Sequence, residues 1–104
     1  MQKPFALIVE DDPPQADFLS RTLKLNNFET KIITNGQEAL DCLEFLVPDL
    51  LLIDLHLHGG SGDLILDQVK NNEQFSNTTM MVISADLRML NQLSMEGRVS
   101  LIHI

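Results

Sequence analysis

Apolar residues along this chain fall into two patterns. Phe5-Ala6-Leu7-Ile8-Val9 and Leu50-Leu51-Leu52-Ile53 are unbroken runs, and each ends on carboxylates, Glu10-Asp11-Asp12 and Asp54. Continuous rather than alternating hydrophobicity predicts strands covered on both faces, as in a parallel sheet. Lys31-Ile32-Ile33-Thr34 predicts a short β-branched strand, Met80-Met81-Val82-Ile83-Ser84 a fourth, and Val99 to Ile104 a fifth. Between these runs the spacing turns helical. Ala16, Leu19 and Leu23, with Thr22 on the same side, predict a helix after Pro13-Pro14. That proline pair suits a first helical turn, where the missing N–H groups would have no partner anyway. Ala39, Leu40, Leu43 and Val47 predict a second helix stopped by Pro48, and Leu64, Ile65 and Val69 a third, fading into the polar stretch 71–79. Leu87, Leu90 and Leu93 predict a short fourth helix closed by Gly97. Asn35-Gly36 marks a turn, and Gly59, Gly60 and Gly62 mark a loop from His56 onward.

Strands alternating with helices predict right-handed crossovers and one parallel sheet. The expected fold class is α/β, an open flavodoxin-like, doubly wound sheet of strand order 2-1-3-4-5. At 104 residues, one domain over 1–104 is expected.

Composition narrows the function. Hydrophobic residues make up 44% and charged residues 21% of the chain, enough apolar surface for a packed core. Fifteen acids against seven bases give a net charge of −8, which disfavours nucleic-acid or anionic membrane binding by this domain. The single cysteine, Cys42, cannot form an internal disulfide and fits a reducing compartment. No stretch reads as a secretory leader or a membrane span, so a cytoplasmic location is expected. Cys42, Met80 and Met81 read as packing residues, and Asp63 and Asp67 as a solvated helix face.

The chemistry sits at the strand ends. If strands one, three and four lie side by side, Glu10, Asp11, Asp12, Asp54 and the Ser84 hydroxyl converge on one rim beside the topological switch point. Crowded carboxylates repel, and a hard divalent cation relieves them. From spacing alone two readings stand: a site for metal-assisted phosphoryl chemistry, or acids that merely cap strand ends and stay solvated.

These same residues carry a resemblance. Ile8-Val9-Glu10-Asp11-Asp12-Pro13, Pro48-Asp49-Leu50-Leu51-Leu52-Ile53-Asp54-Leu55, the loop Gly59-Gly60-Ser61-Gly62 and Ser84-Ala85 occur in order, with Asp54 43 positions after Asp11 and Ser84 30 positions after Asp54. In this the chain resembles the CheY-like receiver domains of response regulators in two-component signalling, from Phe5 to about Gly97. The resemblance implies that Asp54 accepts a phosphoryl group from the phosphohistidine of a histidine kinase or phosphotransfer protein. It implies Mg²⁺ held by Asp11, Asp54 and the backbone carbonyl of His56, with Glu10 acting through a bound water. Ser84 would donate its hydroxyl to a phosphoryl oxygen, and Ala85 would stay small to leave room for it. The protein would catalyse only its own phosphorylation and dephosphorylation, and pass the signal to an output domain or partner protein. A haloacid-dehalogenase-type phosphatase would need a second aspartate two residues beyond Asp54, where His56 stands.

Two departures from the family pattern matter. His58 replaces the usual proline four residues after the phosphoacceptor, and the resulting His56-x-His58 pair lacks the further ligands of a closed zinc site. The family's lysine at the end of strand five falls by count on Ile104, and its aromatic switch residue on Leu101 or a neighbour. The expectation is therefore a receiver incomplete at its C-terminus, without the fifth helix. Apolar side chains of strands one and five would then face water and favour a homodimer through the uncovered sheet face. The alternative is a degenerate pseudo-receiver that binds partners without phosphorylation.

Overall fold

The computed structural model describes residues 2–55, 62–84 and 99–103. Five strands, β1 (Phe5–Val9), β2 (Glu29–Ile33), β3 (Leu50–Asp54), β4 (Thr79–Ser84) and β5 (Val99–His103), form one parallel sheet of order β2-β1-β3-β4-β5. Among the described residues, helices α1 (Pro13–Leu25), α2 (Gly36–Cys42) and α3 (Gly62–Lys70) connect the first four strands, and a 3-10 turn spans Glu73–Phe75. The flavodoxin-like, doubly wound plan is the one the hydrophobic pattern predicts.

Local chemistry sets the element ends. Asp12 caps α1 through its side chain, which accepts from the Gln15 N–H at 3.2 Å, and Pro13-Pro14 form the first turn. At the other end Asn27 takes φ 68°, so that Phe28 N–H reaches the Leu23 carbonyl and Asn27 N–H that of Lys24. This is the left-handed helix stop usually made by glycine, here made by asparagine. Asn35 caps α2 by accepting from the Glu38 N–H at 2.8 Å, so the Asn35-Gly36 turn signal is in fact a helix start.

Four local readings are corrected. Helix α2 ends at Cys42, short of Val47, because the chain tightens to i→i−3 bonds at Glu44 and Phe45 and Val47 is confined by Pro48. Val47 is exposed. In α3 the buried stripe is Gly62, Ile65, Leu66 and Val69, which leaves Leu64 off the stripe and in solvent. Thr22 is exposed and bonds back to the Phe18 carbonyl, whereas Ser20 is buried and shares a 2.7 Å hydrogen bond with Thr30 of β2. Strand β2 also begins two residues before Lys31 and stops at Ile33.

Alternate residues of each strand feed two packing layers. Leu7, Val9, Leu51, Ile53, Met80 and Val82 meet α2, α3 and Phe75 on one side. Ile8, Leu52 and Ile83 pack on the other with Leu19 and Leu23 of α1 and half-buried Met81. The expected exposure of strand one is not found, since Ala6 and Ile8 are fully buried. Phe75, inside the polar stretch 71–79, is also fully buried. The predicted fourth helix (Leu87, Leu90, Leu93 and Gly97) and the loop residues 56–61 lie outside the described residues, as do the side chains of Val99, Leu101, Ile102 and His103.

Candidate functional site

Strands β1 and β3 are neighbours, with Val9 in register with Ile53, so their C-terminal ends emerge together. The ladder continues one residue past each: Glu10 N–H bonds the Ile33 carbonyl at 3.0 Å, and Leu55 N–H bonds the Ile83 carbonyl at 3.1 Å. Glu10 and Asp54 thus stand on fixed backbone. One carboxylate oxygen from each of Glu10, Asp11 and Asp54 lies within 4.8 Å of the others. Asp11 and Asp54 are half-buried, while Glu10 is 1% exposed.

Burying a charge beside two others has a cost, and Glu10 carries it. Its pKa is raised from an ordinary 4.5 to about 7, first by burial and then by the hydrogen bond and the charge of Asp54. Hydrogen bonds from the Asp12 backbone and the Gln15 side chain pull the other way without cancelling the rise. The Gln15 amide donates to Glu10 Oε1, and the Asp11 N–H donates to Glu10 Oε2 at 3.0 Å. Gln15 was not singled out in the sequence. Its signal is positional: it is the first residue of α1 after the proline pair, five residues beyond the strand-ending glutamate.

Ser84 ends β4 and is fully buried, one residue beyond the Asp54–Ile83 pair, and it is in register with His103. Three of the four expected carboxylates are therefore brought together, and Ser84 ends the strand next to the one that carries Asp54. Asp12 is not among them, being occupied as the α1 cap. Ala85, His56 and His58 lie outside the described residues. The donor set is oxygen only, crowded and negative, which fits a hard cation such as Mg²⁺ better than zinc. A separate apolar groove of about 740 Å³ between β2 and α2, lined by Phe5, Ile32, Cys42 and Phe45, shares no residue with this cluster. Among the described residues, no helix is long and apolar enough to cross a membrane.

Comparison with known proteins identifies the class to which this parallel α/β sheet with an acidic rim belongs. The chain belongs to the response regulator receiver domain family, whose model matches residues 6–102. It is 32% identical over 83 residues to sensor histidine kinase TmoS of Ectopseudomonas mendocina, covering 80% of this chain and 8% of that protein. It is 30% identical over 83 residues to hybrid signal transduction histidine kinase D of Dictyostelium discoideum, covering 80% of this chain and 5% of that one. The chain thus spans only a small part of these curated relatives. A CheY-like receiver domain from Methylobacillus flagellatus superposes with a TM-score of 0.84 at 23% identity, over 97% of this chain and 86% of the other, a likeness of fold. The chain is a receiver domain of two-component signalling.

Proposed function

We propose that this receiver takes a phosphoryl group onto Asp54 from a phosphohistidine on a histidine kinase or phosphotransfer protein, in a reaction that requires Mg²⁺. The observation that carries this reading is the meeting of Glu10, Asp11 and Asp54 within 4.8 Å at the ends of β1 and β3. Asp54 is the nucleophile. One of its oxygens forms the new O–P bond as the N–P bond of the phosphohistidine breaks, and the imidazole leaves with that electron pair and is reprotonated by solvent. Asp11 and Asp54, with the His56 backbone carbonyl, would hold the cation, and Glu10 would complete its surroundings. When bound, Mg²⁺ offsets the negative charge of the phosphoryl oxygens, which would otherwise be repelled by three carboxylates. The Ser84 hydroxyl would donate to a phosphoryl oxygen, and the small side chain of Ala85 would leave it room. An output domain or partner protein would read the change, in a cytoplasmic setting.

Incubation with a small-molecule phosphodonor, with Mg²⁺ or with chelator, followed by intact mass, tests the reading. Gain of one phosphoryl group only with Mg²⁺ is expected. A second reading, a pseudo-receiver that binds partners without phosphorylation, draws support from one observation: Ile104 stands at the counted position of the family's lysine. An unchanged mass in both arms would select it.

A further inference from the structure

We infer that Gln15 is a positioning residue for the carboxylate site, holding Glu10 toward the cation with a donor that carries no charge; the inference rests on the metal-site reading above.

The chain between the two residues is built to fix their relation. Glu10 is locked at the end of β1 by its N–H bond to Ile33. Asp12 then caps α1, and Pro13-Pro14 fix φ over the next two residues, so Gln15 enters the helix at a set height and rotation. Gln15 is half-buried, and its amide N–H donates to Glu10 Oε1, while the Asp11 N–H takes Oε2. With each oxygen engaged by a donor, the buried carboxylate has one orientation rather than several rotamers. Preorganised ligands bind a cation without first losing that freedom.

The identity of the donor matters as much as its place. A lysine here would reach the same carboxylate and orient it at least as firmly, since charge-assisted hydrogen bonds are the stronger ones. Its positive charge would also oppose a second cation a few ångströms away. Glutamine orients without competing.

The test compares Mg²⁺ affinity of the parent, Gln15→Met and Gln15→Lys by titration calorimetry, since the chain has no Trp or Tyr to report binding by fluorescence. Chemical denaturation in metal-free buffer is run on all three. Methionine keeps length and shape but cannot donate, so Glu10 regains rotational freedom and Mg²⁺ binding should weaken by roughly two- to tenfold, the scale of ordering one side chain. Lysine should weaken it further, and the Met variant should stay cooperatively folded in metal-free buffer, its midpoint lowered by no more than the loss of one hydrogen bond. Equal affinity for parent and Met variant would overturn the inference. So would a Lys variant that binds as tightly as the parent, or a loss of affinity in the Met variant no larger than its unfolded fraction in metal-free buffer accounts for. A parent that binds no Mg²⁺ would overturn the metal site itself, and the positioning role with it.

Discussion

Glu10 concentrates the tension of the site in one carboxyl group. Its folded pKa of about 7 lies above the ordinary 4.5, so between those values the folded chain holds a proton that the unfolded chain has lost. A raised carboxyl pKa adds stability that is present below about pH 4.5 and fades as pH rises toward 7, by on the order of 3 kcal/mol in total. Without Mg²⁺, the chain should therefore be more stable at pH 5 than at pH 7.5 as far as Glu10 is concerned, and Glu10→Gln should flatten that slope. Urea denaturation at the two pH values checks this; an identical slope in the variant would contradict it. Asp54→Asn should also raise metal-free stability at pH 7.5, because it removes the neighbouring charge that burdens Glu10. The acidic residues were legible from the sequence because each ends an unbroken apolar run. Gln15 was not, because a hydrogen bond across a helix start leaves no periodic trace.

At the scale of elements, start signals carried more information than stop signals. Asp12-Pro13-Pro14 and Asn35-Gly36 each combine a capping side chain with a backbone preference, and both open helices. The end of α2 was misplaced because Val47 extends the apolar spacing while Pro48 forbids the helical backbone that would use it. Leu64 and Leu66 show a similar limit, since three neighbouring apolar residues do not reveal which lie on the buried stripe. Leu66→Ala should cost about 2–5 kcal/mol, and Leu64→Ala, at an exposed position, less than about 0.5 kcal/mol. Asp12→Ala should cost about 1 kcal/mol by removing the α1 cap. Thermal or urea unfolding of the three variants gives these values; equal losses at 64 and 66 would contradict the assignment of the stripe.

For the whole molecule, alternating elements and continuous strand hydrophobicity predict a parallel doubly wound sheet, because parallel pairing and right-handed crossovers leave few topologies. Phe75 was hidden within a polar stretch, yet it is fully buried against the α3 side of the sheet, and Thr78 beside it donates to the Pro48 carbonyl at 2.7 Å. The packing layers fix where β1 and β3 end, and so bring carboxylates 43 residues apart in the chain to one rim. The most direct test of that convergence is phosphoryl uptake by the parent, Asp54→Asn and Asp11→Asn proteins, measured side by side with a small phosphodonor and Mg²⁺. Uptake by the parent, none by Asp54→Asn, and uptake by Asp11→Asn that needs more Mg²⁺ is the predicted result. Equal uptake by the parent and Asp54→Asn would show that the phosphoryl group goes elsewhere.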